Sequence, residues 1–277
     1  MKILKKTLFY VVASLLALQF LLPLIWMILS SFKIDETIYK DINSIFAFIP
    51  RFSDLTFHSY SELLGMYNIF KNVGNSLLYA SITTIVGLTI NSLAGYALAR
   101  FIFPFKDGIL IFIIALMIVP IEAIILPLFL VVNDMGLINT IPGYLLPFFV
   151  NVMNIFLFRQ HFLSFPGELI ESAKIDGLGE IGSFFKIVVP SSLNIYVTVG
   201  ILTFLTSWND FLWPVMALSN SDLMPVQVAL NAIFSDTYNI FTSHTMAALT
   251  IVTIPVVLLY AFFQKYIIEG YTRSGIK

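Results

Sequence analysis

Apolar residues run along this chain in long blocks that charge does not interrupt. Five windows, 7–32, 72–99, 135–158, 187–209 and 237–264, contain no Asp, Glu, Lys or Arg, and a sixth, 108–133, is interrupted only by Glu122 between Pro120 and Pro127. A helix needs about 20 apolar residues to cross about 30 Å of hydrocarbon, so each window is long enough to span. The pattern predicts an all-α membrane protein with six transmembrane helices. The first window follows Lys2, Lys5 and Lys6, but it is too long for a cleaved leader and lacks a small-x-small site, so it reads as a retained helix with a kink at Pro23.

Composition agrees. Of 277 residues, 58% are hydrophobic and 11% charged, which excludes an ordinary soluble enzyme. The net charge of −1 leaves no basic footprint for nucleic acid, and the absence of cysteine removes disulfide and thiolate chemistry.

The distribution of Lys and Arg sets an expected orientation. With the amino terminus in the cytoplasm, the cytoplasmic segments hold Lys2, Lys5, Lys6, Arg100, Lys106, Arg159, Lys174, Lys186, Lys265, Arg273 and Lys277, eleven of the 15 basic residues. The other four, Lys33, Lys40, Arg51 and Lys71, all lie in the first outer stretch. Both termini are then cytoplasmic. The expected organisation is a first helix with a long outer loop over 1–71, a five-helix core over 72–265 carrying a cytoplasmic loop at 159–186, and a tail over 266–277. The outer stretch 33–71 reads either as a tether or as a docking surface.

The cytoplasmic loop is the most informative segment. Ser164 and Pro166 are helix-start residues, Glu168 and Glu171 place negative charge in the early turns, and Leu169, Ile170 and Ala173 form a short apolar face. Gly177, after Asp176, can adopt the left-handed conformation that ends a helix, and Phe184, Ile187 and Val188 begin a second helix. The result is a helix-turn-helix.

The run Glu171-Ser172-Ala173-Lys174-Ile175-Asp176-Gly177, with Phe184, Ile187 and Pro190 at the same intervals, resembles the signature loop of binding-protein-dependent ABC importer permeases. Ser172 and Leu178 replace alanines of that pattern and Asn194 replaces its second closing proline, while the Glu, Asp and Gly positions are kept. Asn75-Ser-Leu, Ala94-Gly-Tyr-Ala-Leu-Ala-Arg100, Asp134-Met-Gly-Leu-Ile-Asn-Thr140, Trp208-Asn-Asp-Phe-Leu-Trp-Pro214 and Gln264-Lys-Tyr-Ile-Ile-Glu-Gly270 resemble the carbohydrate branch of that family, in particular the smaller permease subunit of maltose-type transporters.

The resemblance implies a type I ABC importer permease fold in the inner membrane of a prokaryote. It implies a cytoplasmic ATPase dimer, a second related permease making a heterodimer, and an extracytoplasmic solute-binding protein as partners. It also implies that the cytoplasmic helix docks on the ATPase, with Leu169, Ile170 and Ala173 as buried contact and Glu171 and Lys174 as polar anchors. No Gly-Lys dipeptide occurs, so no phosphate-cradling loop of the Gly-x-x-x-x-Gly-Lys-Ser/Thr kind is present; no cofactor is expected on this chain, and ATP and Mg belong to the partner.

Polar residues within the windows are candidates for a solute path or for interhelical hydrogen bonds. They are Asn91 (with Ser92), Glu122, Asn151, Asn154, and the stripe Thr203, Thr206, Ser207 and Asp210 beside Asn209. The apolar outer segment 210–236 should fold back, leaving Ser219, Asn220, Ser221 and Asp222 as a polar tip that the resemblance directs toward the solute-binding protein. His58, His161 and His244 stand far apart in sequence and suggest no metal site. A permease for another solute, such as a glycerophosphodiester or an amino acid, remains an alternative. So do an ion-coupled secondary transporter, for which no internal repeat is evident, and a membrane-embedded enzyme, for which no catalytic constellation is found.

Overall fold

A computed structural model describes residues 2–235 and 241–274, with side chains at 5–235 and 241–266. The expectations placed on 236–240 and on the tail beyond 274 lie outside the described residues. The helices are α1 (Lys2–Ser31), α2 (Asp35–Asp41), α3 (His58–Met66), α4 (Ile69–Arg100), α5 (Lys106–Leu116), α6 (Ile121–Asp134), α7 (Ile141–Leu145), α8 (Val152–Leu163), α9 (Gly167–Ile175), α10 (Glu180–Ser183), α11 (Val189–Ser191), α12 (Leu193–Trp208), α13 (Leu212–Ala217), α14 (Val226–Ser235) and α15 (Thr242–Ser274).

Three of these, over Lys5–Ser31, Ile69–Arg100 and Thr242–Tyr266, are long and apolar enough to cross a membrane alone. Three further windows are bent pairs: Lys106–Leu116 with Ile121–Asp134 at 105°, Ile141–Phe148 with Val152–Leu163 at 42°, and Glu180–Ser191 with Leu193–Trp208 at 82°. The count reaches six if each pair crosses once. Pro23 and Pro255 lie inside unbroken helices, so the first helix is not interrupted at its proline. Pro120, in contrast, stands at the break before α6, and Glu122 falls in the first turn of that helix, where the positive end of the dipole favours a carboxylate.

The chain divides into two compact units. One joins Met1–Val73 with Val228–Val257; the other joins Gly74–Gln227 with Leu258–Lys277. Residues 228–257, expected in the five-helix core, thus group with the amino-terminal region.

In the first unit the outer stretch is folded rather than a tether. Lys33 is buried, with Nζ 3.0 Å from Asp41 Oδ2 and donating to Phe46 O at 2.7 Å. A buried ammonium is tolerable only when paired and hydrogen-bonded, and both conditions are met. The Asp35 carboxylate accepts from Thr242 N and Ser243 N, each at 2.9 Å, capping the start of α15. His58 and His244, distant in sequence, both reach Glu62: His244 Nε2 lies 2.9 Å from Oε2 and His58 Nε2 lies 3.3 Å from Oε1. Among the described residues no group of His, Cys, Asp and Glu forms a metal cluster.

Among the described residues the second unit holds two large apolar cores and a smaller cluster of Leu98, Ile113 and Ile155. One gathers Tyr79, Ile125, Val132, Tyr144, Leu145, Trp213, Ala217 and Leu218; the other gathers Tyr96, Phe158, Phe162, Phe165, Ile170, Phe184, Val188 and Val199. Gly95 lets α4 and α8 touch: a Cβ there would lie 2.7 Å from Phe158 Cβ and 2.9 Å from Ile155 O, a contact only glycine permits.

Candidate functional site

Helix α9 and its exit form the signature loop. At its end Gly177 has φ +84°, with Leu178 N donating to Ala173 O at 2.9 Å and Gly177 N to Lys174 O at 3.0 Å. These two bonds are the glycine-ended cap that satisfies the last carbonyls of a helix. The second helix begins at Glu180, four residues before Phe184, and passes through a π-helical turn, Phe184–Val188, before Pro190. The Lys174 Nζ to Glu180 Oε1 contact of 2.5 Å joins the two limbs across the turn, and that hydrogen bond raises the lysine pKa above its usual value.

The apolar face is divided differently from the expectation. Ile170 is buried in the chain's own aromatic core and Ala173 is buried within the chain as well, so this side of the helix faces inward. The outward apolar groups are Leu169 (46% exposed), Ile175 (86%) and Ile181 (73%). Sequence spacing identified a face but not which side of it the chain itself would cover. Glu171, Ser172, Lys174 and Asp176 are exposed; the Ser172 hydroxyl donates back to Glu168 O at 2.8 Å. Phe184 is buried, ring to ring with Tyr96 at 5.0 Å. Arg100, ending α4, donates to Phe165 O immediately before α9.

The intramembrane polar residues largely meet one another. Asn91 donates to Phe149 O at 3.1 Å and accepts from Asn151 N at 3.0 Å, bridging the break between Phe148 and Val152. The Asn151 side chain accepts from Asn154 N at 3.1 Å, capping α8, and Asn154 Nδ2 donates to Thr203 Oγ1 at 2.9 Å. Irregular backbone at membrane depth must be satisfied from within, and these amides do that. Asn91 and Asn154 are buried, whereas Glu122, Thr206 and Asn209 are exposed and Ser207 and Asp210 half-buried. Thr206 Oγ1 donates to Leu202 O at 2.9 Å and Asn209 Nδ2 to Leu205 O at 2.8 Å. Just beyond α12, burial pushes the Asp210 carboxyl up to about 6, opposed by hydrogen bonds from the backbone N–H groups of Trp213 and Phe211.

The segment after α12 folds back as its apolar content required. Trp213 Nε1 donates to Tyr144 O at 3.1 Å. Asn139, itself at φ +62°, accepts from Ser219 N at 3.0 Å and Asn220 N at 2.8 Å. Asn75 Nδ2 donates to Asp222 O at 2.8 Å and Met224 O at 3.1 Å, Tyr79 Oη donates to Leu223 O at 3.0 Å, and Ser76 Oγ accepts from Val226 N at 2.8 Å. Two separate sequence motifs, those holding Asn75-Ser76 and Asn139, thus converge on the loop that continues a third, a role for these residues that spacing alone did not reveal. The tip, Ser219, Asn220, Ser221 and Asp222, stays exposed.

With this geometry in hand, the comparisons are specific. Residues 87–273 match the model of the family described as binding-protein-dependent transport system inner membrane component. The chain is similar to the arabinooligosaccharides transport system permease protein AraQ of Bacillus subtilis (strain 168), 33% identical over 98% of this chain and 94% of that one. It is 28% identical to the lactose transport system permease protein LacG of Rhizobium radiobacter, over 96% of this chain and 94% of the other. In fold it is similar to a chain of a bacterial ABC transporter involved in the import of the acidic polysaccharide alginate, with a TM-score of 0.82, 22% identity, and coverage of 95% and 96%.

Proposed function

We infer the role of this chain from one premise: it belongs to the binding-protein-dependent transport system inner membrane component family. It is a multi-pass permease subunit of the cytoplasmic membrane, not itself an enzyme, and works with a separate ATPase and a solute-binding protein. Within that frame we propose six crossings, each bent pair counting as one, with both termini in the cytoplasm. The Lys and Arg distribution supports this orientation. The cargo is a sugar or oligosaccharide, as for the relatives named for arabinooligosaccharides and lactose.

The observation that carries the mechanism is α9 with its glycine-ended cap, seated on the aromatic core and presenting Leu169, Glu171, Ile175 and Ile181 outward. This surface docks on the ATPase. Nucleotide closure there, with ATP and Mg held by the partner, displaces α9 as a rigid lever, and a lever can bias access only if the two pore states differ in their contacts to it. A second, related permease occupies the other half of the pore and the other ATPase cleft. The exposed tip at 219–222 faces the solute-binding protein. Glu122, Thr206, Ser207, Asn209 and Asp210 are the polar groups best placed for cargo, because Asn91, Asn151, Asn154 and Thr203 are engaged with one another.

The test is ATP-driven oligosaccharide uptake into vesicles holding the assembled transporter. Glu171→Lys and Gly177→Trp should abolish uptake and weaken ATPase retention while the permease inserts normally. Normal uptake by either well-folded variant would sink the lever assignment.

A further inference from the structure

The stretch after α1 in the first unit has a feature to which the proposed function assigns no role. Residues 42–50 (Ile-Asn-Ser-Ile-Phe-Ala-Phe-Ile-Pro) contain no charge, and the large apolar side chains there point away from the protein: Ile45 is 66% exposed, Ile49 59%, and Phe52 just beyond is 93% exposed. In water such a run would be a poor surface for a folded loop.

Its position removes the difficulty. A cleft of about 280 Å³ lies between α1, at Leu22, Pro23 and Trp26, and this segment, at Ile42, Ala47 and Phe48. Leu22 and Trp26 lie inside the span Lys5–Ser31, nine and five residues before its end. At 1.5 Å per residue this is ~7 to 14 Å below the end of the helix, at the depth of the interface and outer hydrocarbon.

Backbone placed at that depth must satisfy its own polar groups. Here Ser44 N donates to Asp41 O, Phe46 N to Ser44 Oγ, Ala47 N to Ser44 O, and Phe48 N and Ile49 N to Ile45 O. The Phe46 carbonyl takes the Lys33 ammonium at 2.7 Å. The charges that flank the run are kept off the exposed apolar surface: Lys33 and Asp41 are buried against each other, and the Arg51 guanidinium lies over the Phe46 ring, 3.8 Å from its centroid, near Asp41 and Asp54.

We propose that residues 42–52 form a wedge embedded in the membrane leaflet at the carboxyl end of α1, with lipid acyl chains filling the cleft against Leu22, Pro23 and Trp26. The occupant is lipid because the exposed surface is dominated by Ile42, Ile45, Phe48, Ile49 and Phe52 and continues the apolar exposed side of α1, while its exposed polar groups, Asn43 and Arg51, lie near the two ends of the run, where an interfacial wedge meets the headgroups. The proposal rests on α1 crossing the membrane and holds for either orientation of the chain.

The absence of native cysteine makes the test direct. Single nitroxide labels are placed at Ile45→Cys and Ile49→Cys in the assembled transporter in phospholipid bilayers, with Phe20→Cys as a reference on α1 and Lys40→Cys as an aqueous reference. These side chains are exposed, so the substitutions leave the fold intact. Labels at 45 and 49 should show a ratio of oxygen to nickel-chelate collision rates severalfold above that at 40, and close to that at 20. Ready access of the nickel chelate at 45 and 49, with hydrocarbon behaviour at 20, overturns the wedge while leaving α1 as a span. Shielding from both reagents at 45 and 49 assigns the surface to a protein partner and also overturns it. Aqueous behaviour at 20 overturns the premise and the proposal together.

Discussion

Two loops of the second unit, one proposed to meet the ATPase and the other the solute-binding protein, both rest on packed apolar cores but differ in the polar bonds added to them. The α9 loop rests on packed rings, Tyr96, Phe158, Phe162, Phe165 and Phe184, with the Arg100 bond to Phe165 as a polar tether. The segment 212–226 buries Trp213, Ala217 and Leu218 in the other core and is fixed in addition by directional bonds from Asn75, Ser76, Tyr79 and Asn139 and by the Trp213 indole. Dispersion contacts are numerous, individually weak and non-directional, whereas hydrogen bonds hold only within a narrow range of distance and angle. The first arrangement suits a part that must transmit force while adjusting its seat. The second suits a part that must hold one position.

The comparison can be broken at its strongest point first. Phe184→Ala empties a fully buried site in the ring cluster and should destabilise the α9 loop by ~3 to 5 kcal/mol, read as a lowered unfolding temperature in detergent and faster proteolysis at 167–183. Phe184→Leu should restore most of it, since packing rather than ring identity is at stake.

Next comes the polar latch. Asn139→Ala removes the acceptor for two backbone N–H groups and places a Cβ-bearing residue without a side-chain bond at φ +62°, costing ~1 to 3 kcal/mol. Hydrogen exchange should accelerate at 219–223 and remain unchanged at 167–177; equal acceleration at both loops would contradict their independence.

The smallest effect is in pH. The Asp210 carboxyl is raised in the folded chain to about 6, so below about 4 it is neutral in both folded and unfolded states and burial costs nothing. As pH rises through about 6 the unfolded chain ionises first, and native stability is lost. Allowing for partial solvent screening, the loss is ~1 to 2 kcal/mol. Thermal unfolding followed from pH 4 to 8 should show this decline, and Asp210→Asn should flatten it.

The sequence was most legible where one physical demand dominates. Charge-free length located the three long apolar helices and the three bent pairs, though not the short apolar helix Val226–Ser235, and Gly177 announced a left-handed helix end that the structure contains. Proline was an uneven guide to where a segment bends: Pro120 marks the break before α6, Pro23 and Pro255 lie inside unbroken helices, and the break at 149–151 carries no proline and is bridged by Asn91 from another helix. The polar candidates illustrate the same limit: Asn154 and Thr203 are 49 residues apart, and only folding shows that each satisfies the other. His244 likewise reaches Glu62 from 182 residues away, whereas His58 meets the same carboxylate at the local i,i+4 spacing of α3. In the signature loop, spacing found Ile170 and Ala173 but could not tell an inner face from an outer one, since helical periodicity is blind to which side the remaining chain will cover.

The Asp35 cap on α15 has a consequence for biogenesis. Its acceptor emerges from the ribosome some two hundred residues before Thr242 and Ser243, the donors it holds. Throughout most of synthesis this carboxylate waits without those donors, and the amino-terminal unit cannot close until the last helix is inserted. A chain that ended before Thr242 would lack both donors, so the amino-terminal cap is completed only by the last helix made.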